Sequence, residues 1–453
     1  MSSTHYFDLP RLRNVSPRAV VACALLFVVG MALLGSLKMA GAFYIVSLVL
    51  GLYLLWRLPR TQIVVPPAVR LYLGFYLAFF ALVVAHVVVF SASTSNIDQV
   101  SRIGLGLLNG FTFLALFGFS RDRLFDFVAL VAAAHAAVAV AVAVYQGVDF
   151  SAFGLSVARA HGVTNPIPFS EMLLTSVGLV AIAMAARIDP RRSWAMLGLL
   201  ALVIGLGLFA VFLTGTRGTL IGFLLLLPLM MIALFGRMTR WLVVAVAVLA
   251  LAAWLAAALL LFERDQGAGP MLLDFLSTAG ATEHQEAGID VEGAETPRFR
   301  DDSVGIRLQL WILAFDLIRE APLLGHGIDS FPDVLRRPEL GVPADSVLYE
   351  FSNVHNQYLD MTMKMGLLGA VLFFAPLAVA SLVGLRMALD PAERVKGLAI
   401  LWAGGSYAIY GLTQTFYGHA STALHFGVCL GMLMWLAPGG RYGDICQRPE
   451  TVS

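Results

Sequence analysis

Charge is scarce in this sequence: 13% of its 453 residues are charged, while 59% are hydrophobic, and the mean hydropathy is +0.82. A soluble domain keeps about a quarter of its residues charged, so the shortage excludes an ordinary soluble enzyme and implies a polytopic membrane protein. Cysteine is almost missing. Cys23, Cys429 and Cys446 fall in or beside apolar runs, which excludes a disulfide framework for any exposed segment. Also missing are a Gly-rich nucleotide-binding pattern, a zinc spacing and a Gly-x-Ser-x-Gly elbow, so nothing points to ATP use or to a serine nucleophile. The formal net charge of +1 selects no partner, and no nucleic acid is expected.

What is present is length of apolar sequence. Runs able to span the roughly 30 Å hydrocarbon core lie at 19–35, 39–56, 71–90, 103–119, 124–145, 168–187, 195–213, 218–236 and 241–262, then at 365–385, 396–413 and 420–437. The fold class that follows is an all-α polytopic membrane protein of about twelve spans, with both termini on one side. Arg11, Arg13 and Arg18 precede a first run that is too long for the apolar part of a cleaved signal, so it reads as an uncleaved helix. Basic residues set the orientation. Arg57, Arg60, Arg70, Arg121, Arg123, Arg187, Arg191, Arg192, Arg237, Arg240, Arg386, Arg394 and Lys396 share one side with the termini, while the short opposite loops hold only Lys38, Arg102, Arg159 and Arg217. The termini are therefore expected in the cytoplasm, in a multi-pass protein of the inner membrane.

The expected division is nine spans over 1–262, one long outward, periplasmic loop over 263–364, three spans over 365–437 and a cytoplasmic tail over 438–453. Within the loop, AGATEHQEAGIDVEGAETPRFRD (279–301) has almost no large apolar residue and is expected to be mobile. SVGIRLQLWILAFDLIRE (303–320) reads as an amphipathic helix with Leu308, Trp311, Phe315 and Ile318 on its apolar face, ended by Pro322, Gly325 and Gly327. Such a helix rests either on the membrane surface or on the transmembrane bundle.

Candidate chemistry sits in the outward loops. FLTGTRGTLIGFLL (212–225) holds Arg217 between two apolar runs. An arginine at bilayer depth costs roughly 2.5–3.5 kcal/mol and faces an interior or a ligand; its other reading is a loop arginine reaching the interface. The collar favours anion binding, because Gly215 and Gly218 admit a ligand to the backbone and Thr214, Thr216 and Thr219 add hydroxyls. Arg307 lies in the first turns of the amphipathic helix, where the helix dipole favours anions; otherwise it is a solvated face charge. Arg159, in SVARAHGVTNPIP (156–168), is a third outward arginine, in a loop that Asn165 and two prolines fix. Guanidinium groups pair bidentately with phosphate oxygens, so the three suggest a phosphate-bearing ligand.

NVHNQYLD (353–360) supplies a candidate base. His355 is flanked by Asn353, Asn356 and Gln357, partners for both ring nitrogens, and an unperturbed histidine titrates near about 6.5. A packing or capping histidine is the competing reading. His326, between two glycines, reads as a turn residue, and His86, His135, His419 and His425 as core residues. Asp301 and Asp302 form the one tempting metal pair, but no compact set of hard oxygen ligands accompanies them, and neither a metal nor a cofactor is expected.

Together, TGTRGTLIGFLL, the long outer loop after the ninth span, GHGIDSF and HNQYLD resemble the O-antigen ligase and polymerase superfamily, mainly over residues 155–380. One dominant outer loop between spans nine and ten is similar to the ligase branch. The resemblance implies a C-type glycosyltransferase-like fold and a metal-independent enzyme. Such an enzyme transfers glycan from undecaprenyl pyrophosphate to a lipid A-core sugar. By the same resemblance, Arg217 and Arg307 bind the pyrophosphate, with Arg159 matching its motif loosely, and His355 activates the acceptor hydroxyl. Thr214, Thr216, Asn356 and Gln357 would support them. The partners implied are the lipid-linked glycan, lipid A-core and membrane lipids.

Three rivals remain. An O-antigen polymerase of the family carries two comparable outer loops with an Arg-x10-Gly pattern; here Ser170 stands eleven after Arg159 and only one loop is long. A protein O-oligosaccharyltransferase uses the same donor but has a longer chain. A twelve-span transporter would join two halves by a substantial cytoplasmic link, whereas the link from Ile188 to Trp194 is short.

Overall fold

Backbone N–H and C=O groups inside a bilayer must pair within their own segment, and long apolar runs therefore become helices. The computed structural model describes residues 16–38, 40–57, 65–90, 92–117, 121–147, 160–188, 194–235, 303–343 and 346–438. In chain order these form α1 (Pro17–Ala32), α2 (Ala40–Arg57), α3 (Pro67–Val89), α4 (Ser95–Phe117), α5 (Arg121–Gly147), α6 (Pro166–Ala185), α7 (Trp194–Thr214) and α8 (Arg217–Phe235). After 236–302, which lie outside the described residues, come α9 (Ser303–Glu320), the single turn α10 (Phe331–Val334), two short 3-10 turns, and then α11 (Gln357–Leu389), α12 (Arg394–Tyr410) and α13 (Ala420–Met434). No strand occurs among the described residues.

Eleven of the twelve expected spans coincide with α1 to α8 and α11 to α13. The expected span 241–262, the segment 279–301 and Arg159 lie outside the described residues. Among the described residues, α3, α5, α6, α7 and α11 are long and apolar enough to cross a membrane. The boundary expected at 364/365 falls beside Gly366, where α11 is interrupted by non-helical dihedrals. α11 already begins at Gln357, because Asn356 Oδ1 accepts the N–H groups of Tyr358 and Leu359 and so caps the helix.

The end of the bundle carrying the turns 33–38, 215–216 and 411–419 is termed the upper end. At the lower end Arg121 pairs with Glu393 at 2.7 Å and its Nε donates to the Leu436 carbonyl at 2.6 Å, while Lys396 pairs with Asp122 at 2.6 Å. These ties close α5, the start of α12 and the end of α13 at one end.

α6 is the axis of the fold, buried almost throughout and packed on α5, α7, α8, α12 and α13. Lipid tails are as apolar as side chains, so close approach through small residues replaces the hydrophobic drive between helices. A Cβ on Gly178 of α6 would lie 1.8 Å from the Trp402 ring of α12, and one on Gly106 of α4 would lie 1.6 Å from the Gly427 carbonyl oxygen of α13.

His135 and His425 are core residues, as the sequence suggests, and they are satisfied by a chain of hydrogen bonds with one direction. The Leu34 carbonyl, 3.2 Å from His135 Nε2, can only accept, so His135 Nδ1 accepts from Ser176 Oγ at 2.9 Å. His425 Nε2 then donates to Ser176 Oγ at 3.0 Å, and His425 Nδ1 accepts from the Tyr407 hydroxyl at 2.8 Å.

Residues 306–363 build a second apolar cluster separate from that of the bundle, around Leu310, Ala314, Leu317, Phe331, Val334, Leu335, Leu348, Val354 and Met363. Burying each of its larger side chains is worth about 1.5–3 kcal/mol. The apolar face expected for 303–320 is therefore rotated. Leu310, Ala314 and Leu317 form its buried centre, Leu308 is buried, Trp311 and Ile318 are half-buried, and Phe315 is exposed. A single-sequence period leaves this phase open when hydrophobic residues lie on more than one side of the helix. α9 packs on α11 rather than standing alone.

The GHG turn joins this module to the bundle. α11 breaks at Gly366 (φ 64°, ψ −174°), a conformation that suits glycine. The break frees backbone groups, and the loop 322–327 takes them up. The N–H groups of His326 and Gly327 donate to the Met363 and Lys364 carbonyls at 3.1 and 2.9 Å, and the N–H of Leu367 donates to the Pro322 carbonyl at 2.8 Å. His326 is the turn residue the sequence indicates, with Nε2 2.8 Å from the Leu317 carbonyl.

Candidate functional site

Arg217 opens α8, the first residue after a turn whose Gly215 has φ +65°. The threonines around it were expected to offer hydroxyls to a ligand. Instead the hydroxyls of Thr214, Thr216 and Thr219 are buried and bond within the protein. Thr214 Oγ1 donates to the Val211 carbonyl at 2.6 Å, Thr216 Oγ1 to Ser170 Oγ at 2.8 Å, and Ser170 Oγ to the Ile167 carbonyl at 2.8 Å. Thr219 Oγ1 lies 2.8 Å from Ser170 Oγ. Their work is to fix the start of α8 against α6. Gly218 is small for a packing reason too, since a Cβ there would meet Thr413 Oγ1 at 2.8 Å. The first N–H groups of α8 are thus held in a rigid frame at the upper end, where the helix dipole favours an anion.

His355 arrives from the module side. Its φ of +52° is the one positive value at a non-glycine among the described residues, a strained conformation that surrounding contacts must hold. Its N–H donates to Asn353 Oδ1 at 3.0 Å, the Phe351 ring stands edge-on at 5.2 Å, and the neighbouring Val354 carbonyl accepts from Trp311 Nε1 of α9 at 3.0 Å. The flanking amides do not serve its ring as expected. Asn356 caps α11 and donates to the Leu412 carbonyl at 3.1 Å, and Gln357 Oε1 accepts the Tyr417 N–H at 2.9 Å. The partner of the ring is Gln414, whose Oε1 lies 2.6 Å from Nδ1.

Arg307 of α9 and Asp360 of α11 act electrostatically on this ring, and the ring acts in turn on His419 of the 411–419 loop. Burial pushes the His355 imidazole below its ordinary value, with the Arg307 guanidinium acting in the same direction; the Gln414 bond and Asp360 oppose them. His419 is likewise lowered by burial first and then by His355. Asp360 is itself buried, accepting the Val354 N–H at 3.2 Å and pairing with Lys364 at 3.0 Å.

The upper end therefore brings together the start of α8 and the His355 loop, both through the segment 411–417, with Arg307 close enough to act on His355. Sequence reasoning missed Thr413 and Gln414. The signal was the polar interruption LTQTFYGH (412–419) between two apolar runs, at the same end as the other loops.

Residues 202–374 match the family described as O-antigen ligase. The matched segment contains Arg217, Arg307, His355 and the Gly366 break, and it ends before Gln414. A protein of Haemophilus influenzae described as uncharacterized is 33% identical over 72 residues, which are 16% of this chain and 18% of that protein. With the match lying over the start of α8, over α9 and over the His355 loop, residues 202–374 of this chain form an O-antigen ligase family domain.

Proposed function

We propose that this protein is an O-antigen ligase. It transfers a polysaccharide from undecaprenyl pyrophosphate to a sugar hydroxyl of lipid A-core on the periplasmic side of the inner membrane, with inversion and without metal or nucleotide sugar. The observation that supports this most is the meeting of a rigid helix start, a guanidinium and a strained imidazole at one end of an apolar bundle. The opposite end carries Arg121, Arg187, Arg394 and Lys396, which suits a cytoplasmic face.

The chemistry follows from charge. As the anomeric C–O bond breaks, its electron pair passes to the pyrophosphate, whose negative charge grows. Fixed positive groups then stabilise the transition state more than the ground state. Arg217 and Arg307 are assigned to that pyrophosphate, with Arg159 as a third contact. His355 takes the proton of the acceptor hydroxyl, and the oxygen attacks the anomeric carbon from the face opposite the leaving group. Thr214 and Thr216 hold the start of α8, and Asn356 and Gln357 tie α11 to the 411–417 segment.

The test is a purified reaction containing lipid-linked polymer and lipid A-core as the only additions. Long glycan on lipid A-core is the expected product. A polymerase would lengthen the lipid-linked chain and leave the core bare, and a transporter would produce no new bond.

A further inference from the structure

We infer that Gln414 is the positioning residue of the candidate base: it holds His355 in the tautomer with the proton on Nδ1, so that Nε2 receives the proton of the acceptor hydroxyl. The inference rests on the reading of His355 as the base, and it adds a residue beyond the matched family segment, 59 positions away in the chain.

The argument starts from which atoms can donate. Gln414 Oε1 lies 2.6 Å from His355 Nδ1 and 3.2 Å from the backbone nitrogen of Thr415. A backbone N–H only donates, so the side-chain atom it meets is the amide oxygen, not the amide nitrogen. An amide oxygen only accepts, so His355 Nδ1 carries the hydrogen. The lone pair of the neutral ring is then on Nε2. Gln357 and Asn356, the neighbours in sequence, turn their side-chain oxygens elsewhere, to the N–H of Tyr417 and to those of Tyr358 and Leu359.

Gln414 is also rigid enough to orient a ring. It is 2% exposed, and its segment is fastened beyond it by the Tyr417 N–H on Gln357 Oε1 at 2.9 Å and before it by four bonds. The N–H groups of Thr413 and Gln414 donate to the Tyr410 carbonyl at 3.0 Å, Gln357 N donates to the Gly411 carbonyl at 2.7 Å, and Asn356 Nδ2 donates to the Leu412 carbonyl at 3.1 Å. Together with the positive φ of His355, these bonds fix both partners of the 2.6 Å contact from opposite sides. A base must be held within hydrogen-bond reach of one proton to be effective, and a ring free to flip would present either nitrogen.

The choice of an amide has a consequence. A carboxylate in this place would fix the same tautomer and raise the basicity of the ring, as an acid–histidine pair does. The neutral amide fixes the same tautomer and raises the ring through its hydrogen bond without adding a charge, against the burial and the Arg307 guanidinium that lower it.

Three single variants of the full-length purified protein, Gln414→Leu, Gln414→Glu and His355→Ala, and the double variants joining each Gln414 change to His355→Ala test this, each followed by transfer rate against pH and by folding in detergent. Gln414→Leu is expected to lower kcat by about tenfold or more, a part of the roughly 10²–10⁴-fold that a general base contributes, while KM for the lipid-linked donor stays near wild type. Gln414→Glu, nearly the same shape, is expected to retain transfer at neutral pH or above, with the acid limb of its profile moved to higher pH. Adding Gln414→Leu to His355→Ala should cause no further loss. An unmoved acid limb in folded Gln414→Glu, or independent losses in the double variant, would overturn the positioning role. Normal transfer by His355→Ala would instead sink the base reading itself, so the two failures are distinguishable. Were Gln414→Leu unable to fold, the near-isosteric Gln414→Glu profile and its combination with His355→Ala would still decide.

Discussion

Gly218 lies directly against Thr413: a Cβ on the glycine would stand 2.8 Å from Thr413 Oγ1 and 3.7 Å from Thr413 Cβ. The residue after Thr413 is Gln414, which bonds His355. One van der Waals contact therefore sets the distance between the start of α8 and the His355 loop. Gly218→Val should push the two apart, and a displacement of about 1 Å at a reacting centre costs up to roughly 10²-fold in rate. Thr413→Ala in the same chain should recover most of that loss by making room. The transfer rates of the single and double variants check it, and a double variant no faster than Gly218→Val would refute the coupling.

The two arginines give a second prediction. Arg217→Lys keeps the charge and loses the planar fork that pairs two phosphate oxygens. Arg307→Ala loses both. Each should reduce kcat by roughly 10²–10³-fold, the usual effect of removing one group that stabilises developing negative charge, with the protein still inserted and folded. Near-normal transfer in either variant would remove that arginine from the pyrophosphate site.

Acid should inhibit the reaction later than an ordinary histidine would predict. The base works only when neutral, and His355 is lowered, first by burial and further by Arg307, against the Gln414 bond and Asp360. A lowered value keeps the ring neutral as pH falls, so the acid limb of kcat/KM should lie below about 6.5, the unperturbed value. Asp360→Asn removes a charge that raises the ring and should move the limb lower still. A limb at or above the unperturbed value would contradict the assignment of this histidine.

The Gly366 break should be intolerant of any side chain. At φ +64° a Cβ there would lie 2.2 Å from both the carbon and the oxygen of the Leu323 carbonyl, backbone atoms that cannot rotate away. Gly366→Ala should therefore cost at least about 1–3 kcal/mol from the dihedral strain alone, and more from the displaced 322–327 loop. Thermal unfolding in detergent should show a large loss of stability, and an unchanged transition would mean the break is not fixed by this contact.

Much of the architecture is written in the order of the residues. Helices emerge because an apolar run in lipid has no alternative to the helix, and α1 to α8 and α11 to α13 all stand where the hydrophobic runs place them. The exceptional position of Arg217 is visible for the same reason, since a charge beside two apolar runs has few inexpensive places to lie. His355 is visible because a polar segment enters an apolar one there.

What the order of residues did not decide is which groups face one another. The phase of α9 stays open in the sequence because its apolar residues nearly encircle it, and the choice of Leu310, Ala314 and Leu317 over Phe315 is made by what packs against them. The threonine hydroxyls around Arg217 look like ligand donors until Ser170, 46 positions from Thr216, is seen to take up those of Thr216 and Thr219, and the Val211 carbonyl that of Thr214. The partner of His355 could not come from its neighbours Asn356 and Gln357 once both were engaged by α11 and the Tyr417 N–H. Local pattern reports burial and period, which are properties of one segment. A tautomer, a cap and a close glycine contact are properties of two segments, and the packing of α12 and its following loop against α11 is what brings Gln414 to His355.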